Sequence, residues 1–261
     1  MVINFHTHIF ADKIAQRAVK SLEDKGKIKA FLNGTEAELL KDMERTGVDI
    51  SVVQPVLTKP SQVWVVNEWA RGLNKRLISF AGLHPDDPDA VENIEKIAQM
   101  GFKGIKMHPD YQSFFVDDKH MYDIYGKIAE KGLVLMLHSG VDIGFDPPYH
   151  CTPQRLAKLL SDFPDMTVVA AHFGGHKMWD ETEEYLVGKN VYLDTSMGTQ
   201  YYSREQFVRI VKNHGSDKIL FASDSPWSDT RTEIENIKNM PISDEDKENI
   251  FYKNAIRLLN I

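Results

Sequence analysis

The chain has 261 residues, 42% of them hydrophobic and 26% charged, with a formal net charge of −7 at pH 7. That length suits one α/β barrel with a large core, and that charge, without dense Lys and Arg tracts, excludes a general nucleic-acid surface or an anionic-membrane binder. No apolar run approaches the ~20 residues of a membrane span, the N-terminal segment lacks the features of a signal peptide, and the single Cys151 excludes an internal disulfide or a Cys-x-x-Cys zinc motif.

In chain order, β-rich apolar runs alternate with stretches of helical spacing. Val2–His8 reads as the first strand, and a first helix then leads into the connection Asp24–Asn33. Helix Thr35–Thr46 follows, with Thr35 and Glu38 as a capping box and Gly47 as its stop, and then strand Val48–Val56. Helix Gln62–Leu73 leads to strand Leu77–His84. Helix Pro88–Met100, with Pro88 in its first turn and Gly101 after its end, leads to strand Phe102–His108. Past the connection Tyr111–Asp117, helix Asp118–Lys131 and Gly132 precede strand Leu133–His138. The connection Val141–Thr152 and helix Pro153–Ser161, with Pro153 in its first turn, lead to strand Met166–His172. Helix Trp179–Val187, strand Asn190–Thr195, helix Ser203–Asn213 with a Ser203/Gln206 box, strand Ile219–Asp224 and helix Asp244–Leu259 complete the chain.

Eight strand–helix alternations call for a parallel eight-stranded sheet closed as a (β/α)8 TIM barrel. An open doubly wound sheet is the competing arrangement, and the missing Gly-x-Gly-x-x-Gly after the first strand counts against it. No repeat, low-complexity tract or linker divides the chain, so residues 1–261 are expected to form one barrel domain.

Barrel enzymes keep their chemistry at the carboxyl ends of the strands. Here those ends carry His6-Thr7-His8, His84, Lys106-Met107-His108, His138, His172 and Asp224, which include six of the ten histidines. Residues two apart on a strand face the same way, so His6 and His8 should point together into the barrel mouth, with Thr7 turned outward. Lys106 and His108 share a face by the same rule. Imidazoles with a carboxylate suit a borderline ion such as zinc and leave a position for water.

The segments Asn4-Phe5-His6-Thr7-His8, Gly104-Ile105-Lys106-Met107-His108-Pro109, Leu137-His138-Ser139-Gly140, Ala171-His172-Phe173-Gly174-Gly175 and Ala222-Ser223-Asp224-Ser225-Pro226-Trp227, with the tail Asn254–Leu259, resemble the amidohydrolase superfamily. The resemblance spans nearly the whole chain and is nearest to the amidohydrolase-related branch that includes aminocarboxymuconate-semialdehyde-decarboxylase-like enzymes. It implies a divalent metal held by His6, His8, His138 and Asp224, with zinc ahead of manganese and one ion rather than two. It further implies Asp224 as the general base for a metal-activated water and His172 as the residue that polarises substrate or shuttles protons. In two-metal members the equivalent of His172 ligates the second ion and a carboxylated lysine bridges the pair. Lys106, His108, His172 and Trp227 are therefore the candidates for a second metal or for substrate, and the Gly-x-Lys-x-His-Pro form favours a lysine that holds an anionic substrate.

Structural readings compete at several positions. For Asp224 the competing reading, behind that of a metal ligand, is a cap on the following turn through Ser225 and Pro226. His84, in His-Pro-Asp-Asp-Pro, reads as a turn residue as readily as a pocket residue. His120, His150, His176 and His214 fall on helices or loops and are expected to face solvent, while Trp64, Trp69, Phe114 and Phe115 are expected to pack. The leading functional expectation is a cytoplasmic hydrolase acting on an amide, ester or lactone of a small molecule. A non-oxidative decarboxylase of a small aromatic or unsaturated carboxylate is the alternative, and a non-catalytic binding protein on a degenerate barrel is a third. The greater length expected of the decarboxylases favours the hydrolase. A homodimer is compatible with the sequence; nucleic-acid and membrane partners are not expected.

Overall fold

The computed structural model describes residues 1–198 and 200–261. Its strands are β1 (Ile3–Thr7), β2 (Ile50–Val53), β3 (Leu77–Ser79), β4 (Ala81–Gly82), β5 (Gly104–Met107), β6 (Val134–Leu137), β7 (Val168–Ala170), β8 (Tyr192–Asp194) and β9 (Ile219–Leu220). Two parallel ladders run β1-β2-β3 and β4-β5-β6-β7-β8-β9. β3 and β4 are two parts of the one expected strand, interrupted at Phe80, whose N–H still donates to Val53 O at 2.9 Å. At the other seam Phe5 N–H donates to Phe221 O at 2.8 Å and Asp224 N–H to His6 O at 2.9 Å. These bonds close β9 onto β1, and the fold is a (β/α)8 barrel.

The strands read as continuous apolar runs because both faces are covered. Ile3, Phe5, Val52, Phe80, Val134, Met136, Val169, Ala171, Leu220 and Ala222 meet in one buried cluster drawn from strands all around the barrel. Phe80 packs edge-on against Phe5, with ring centroids 5.7 Å apart. It also fills the space over Gly104, where a Cβ would lie 2.4 Å from the Phe80 ring. Alternate residues such as Ile105, Met107, Leu135, Leu137, Ile219 and Phe221 join the larger cluster packed beneath the helices.

The glycines expected to stop helices do so, with φ of +78° at Gly47, +86° at Gly101 and +62° at Gly132. Other local expectations need correction. Helix Ala90–Gln99 starts after Asp89, so Pro88 lies before its first turn. Thr35 and Ser203 do cap Glu36–Thr46 and Arg204–His214, yet neither box is reciprocal. The Thr35 N–H goes to Asn33, and the Gln206 amide goes to Asp180 and Glu183. Helix Thr230–Lys238 was not expected, because Ile234 and Ile237 are too few apolar residues to show a period. The last helix is divided by a π turn over Asn249–Lys253, and its closing part brings Ala255 and Leu259 into the inner cluster. No helix among the described residues is long and apolar enough to cross a membrane.

Candidate active site

The strand ends converge as their polarity implied. His6 Nε2 and His8 Nε2 lie 3.0 Å apart, and Asp224 Oδ1 is 3.4 Å from the first and 3.1 Å from the second. The register of β1 against β2 shifts between Asn4 and Thr7. Simple alternation therefore does not run the length of the strand: Phe5 belongs to the inner cluster, and still His6 and His8 meet. The Thr7 hydroxyl donates to Val52 O at 3.0 Å.

These three donors fit a divalent ion. His8 Nδ1 lies 2.6 Å from Gln54 O. A carbonyl only accepts, so Nδ1 carries a proton and Nε2 is the ring nitrogen left to face an ion. Ligand atoms at about 2.0–2.2 Å from a tetrahedral ion stand roughly 3.3–3.6 Å apart, close to the spacing found here. Burial, aided by Lys106, holds His6 well below the usual imidazole range. Burial alone would raise Asp224, but His6, His8 and His172 outweigh it and lower the carboxyl to about 2. Asp224 also has φ +68°, a left-handed conformation that costs a non-glycine residue about 1–3 kcal/mol and that clusters at functional sites.

His138 stands apart from this triplet. Its Nδ1 is 3.0 Å from His172 Nε2, and its ring stacks on His108 with centroids 4.1 Å apart. Its Nε2 is buried without a hydrogen-bond partner, 4.0 Å from Asp142 Oδ2. Of the four expected ligands, three meet directly and the fourth is linked to them through His172, whose ring centroid is 5.3 Å from that of His6. Like Asp224, His172 adopts a positive φ, +58°. Burial lowers the pKa of both His138 and His172.

Lys106 is buried on β5 with Nζ 3.5 Å from His6 Nε2. Burial lowers its amine to about 8, with Asp194 and Asp224 opposing. His108 Nε2 lies 3.1 Å from Asp142 Oδ2, and its Nδ1 accepts Tyr111 N–H at 3.4 Å. The connections Tyr111–Asp117 and Val141–Thr152 therefore both touch the site, Tyr111 from the first and Asp142 from the second. His150 ties the second to the first, with Nδ1 2.8 Å from Asp110 Oδ1. Trp227 is half-buried at the turn after Asp224, where its N–H donates to Asp224 O at 2.9 Å.

Several residues were missed or misread. Asp194, at the end of β8, is fully buried 2.9 Å from His6 Nδ1. Asp142 gave no sequence signal, because a loop carboxylate has no periodicity to mark it. His176 was expected to face solvent but is buried beside His172, its ring centroid 5.8 Å away. His214 is buried as well, with Nε2 2.9 Å from Val191 O. His120 is exposed as expected. His84 is a turn residue, its Nδ1 accepting Asp86 N–H at 3.2 Å.

With this geometry in place, comparison with known proteins decides the family. The amidohydrolase family model matches residues 3–261. The chain belongs to the amidohydrolase family. No curated protein matches this amidohydrolase in sequence. Among solved structures it is similar to an uncharacterized TIM-barrel protein from Bordetella bronchiseptica, with a TM-score of 0.76 and 18% identity over 99% of this chain and 98% of that one. It is similar to 5-carboxyvanillate decarboxylase from Sphingomonas paucimobilis, with a TM-score of 0.70 and 17% identity over 100% and 99% of the two chains. A third is dihydroxybenzoic acid decarboxylase from Polaromonas with bound manganese and the inhibitor 2-nitroresorcinol, with a TM-score of 0.74 and 15% identity over 99% and 96%. At these identities the likeness shows the fold.

Proposed function

We propose that this amidohydrolase is a metal-dependent hydrolase of small molecules, with the barrel of residues 1–261 acting as one domain. A divalent ion, zinc before manganese, would be held by His6, His8 and Asp224 with His138 as the fourth ligand. The observation that carries the reading is Asp224 Oδ1 within 3.4 Å of both His6 Nε2 and His8 Nε2, an ionised carboxylate among imidazoles. When bound, the ion lowers the pKa of a water to about 7 and polarises the carbonyl it meets. Asp224 takes the proton of the attacking water as the carbon–oxygen bond forms, and that proton leaves with the amine or alcohol as the amide, ester or lactone bond breaks. His172, beside Asp224, takes up and passes on a proton. Lys106, the buried cation, holds a substrate carboxylate. The net charge of −7 and the lack of basic tracts support a small-molecule substrate without nucleic-acid or membrane partners, and the single cysteine suits a cytoplasmic protein.

The second reading is a non-oxidative decarboxylase, in which Lys106 and the same donors orient a carboxylate that departs as carbon dioxide while a proton replaces it on carbon. The names of two similar structures, decarboxylases of carboxyvanillate and dihydroxybenzoate, support it. The purified, metal-loaded protein should be offered amides, esters and lactones beside hydroxybenzoates. Hydrolysis of any of the first group is expected; carbon dioxide from the second group alone would replace the hydrolase reading with the lyase one.

A further inference from the structure

Asp194 ends β8 and Ser196 lies in the turn after it, both fully buried behind the strand-end histidines. His6 Nδ1 is 2.9 Å from Asp194 Oδ2 and 3.2 Å from Ser196 Oγ. His172 Nδ1 is 3.0 Å from Ser196 Oγ and 3.3 Å from Ser196 O. The other oxygen of Asp194 is saturated: Oδ1 accepts His172 N–H at 2.9 Å, Ser196 N–H at 3.0 Å and the Ser196 hydroxyl at 2.5 Å.

The direction of every bond follows from the atoms. A carboxylate and a backbone carbonyl only accept. The one Ser196 proton goes to Asp194, so its oxygen can only accept from the two rings. The protons between these groups must therefore lie on Nδ1 of His6 and Nδ1 of His172. A neutral imidazole with its proton on Nδ1 presents Nε2 as a lone pair.

We propose that Asp194, acting with Ser196, is the positioning residue that fixes the tautomers of both His6 and His172, so that the two Nε2 atoms face the barrel mouth unprotonated. One pair of side chains thereby sets the ligand atom of the proposed metal site and the acceptor atom of its neighbour. For His6 this rests on the reading of that residue as a metal ligand. A carboxylate behind a ligating histidine raises ligand basicity, and its loss typically weakens metal affinity about 10–100-fold. An asparagine here has the same shape but can turn its N–H toward Nδ1, driving the His6 proton to Nε2, where the ion must bind.

Two measurements on the full chain test this. Wild type, His6→Ala, Asp194→Asn and Ser196→Ala are titrated with Zn²⁺ and Mn²⁺ against a chromophoric chelator. Loss of binding in His6→Ala establishes the ligand, and a 10–100-fold weaker Kd in Asp194→Asn with unchanged circular dichroism is the expected result. Wild-type binding in His6→Ala would remove the metal reading itself, whereas loss in His6→Ala with wild-type affinity in Asp194→Asn would overturn the present proposal alone. The second measurement needs no folded variant of Asp194: the ¹⁵N-histidine spectrum of the metal-free wild type, with His6 and His172 assigned by loss of their signals in His6→Gln and His172→Gln. Nδ1–H tautomers are expected at both positions, moving to Nε2–H for His6 in Asp194→Asn. An Nε2–H tautomer at His6 or His172 in the wild type overturns the proposal whatever the variants do.

Discussion

Lys106 places its Nζ 3.5 Å from His6 Nε2, a buried amine beside an imidazole that carries a lone pair in the proposed metal site. With its pKa lowered to about 8, the amine remains mostly protonated at neutral pH and faces the mouth as a cation. Lys106→Met should raise KM for a carboxylate-bearing substrate about tenfold to a hundredfold, the worth of a charge-assisted hydrogen bond. Metal content should remain about one ion per chain, with or without bicarbonate during reconstitution. Two ions per chain and a bicarbonate requirement would instead identify Lys106 as a carboxylated bridge.

The metal site makes its own prediction. His6 and His8 end a strand whose core contacts are made by Ile3 and Phe5. The His6→Ala/His8→Ala double variant should therefore keep the far-ultraviolet spectrum of the barrel while losing the ion. Elemental analysis that finds wild-type metal in the double variant would reject the ligand assignment.

The buried histidines predict how metal-free protein responds to acid. His6, His108, His138, His172 and His176 are all lowered from 6.5, chiefly by burial. Their folded-state pKa values lie below the unfolded one, so the unfolded chain binds more protons. The stability they contribute is full above about pH 6.5 and is lost as pH falls below it, by up to about 1.4 kcal/mol per unit for each ring. Asp224, lowered to about 2 from 3.8, loses its contribution only below that upper value and leaves this window to the histidines. Denaturant midpoints of the metal-free protein should fall steeply from about pH 6.5 to about pH 5.5, below the ordinary imidazole value. A flat profile there would mean that these rings are protonated in the folded state.

Much of this arrangement was legible in the sequence because a barrel maps strand ends onto one face, so His6, His8, His108, His138, His172 and Asp224 could be grouped without coordinates. The same rule reaches Asp194, the polar end of the apolar run Val191-Tyr192-Leu193. His214 was legible too: Phe207, Ile210, Val211 and His214 share a helical face and are all buried. Asp142 and His176 were not. Their places depend on two loops meeting, with His176 N–H donating to Ser139 O at 2.9 Å and Gly140 held at φ +84° against it. A Cβ on Gly140 would lie 2.2 Å from His176 N, a close approach that local sequence patterns do not encode.

Hydrolase and lyase ask different things of Asp224 and His172, and that difference supplies the last prediction. In hydrolysis a carboxylate must accept the proton of the attacking water, a role worth roughly 10²–10⁴ in rate. Asp224 is built for it: it is buried, held to about 2, and within 3.4 Å of both imidazoles that would share the ion. Asp224→Asn keeps an oxygen of similar shape, so it should retain substrate binding and much of the metal while kcat falls by at least that factor. In decarboxylation no base need take a proton from water, and the demanding step is delivery of a proton to the carbon that loses the carboxylate. His172, hydrogen-bonded at both ring nitrogens, is the group placed to mediate that transfer. The hydrolase reading therefore predicts that Asp224→Asn damages kcat more than His172→Asn does, on whichever substrate the panel identifies. The reverse order, with carbon dioxide as the product, would assign this barrel to the decarboxylases.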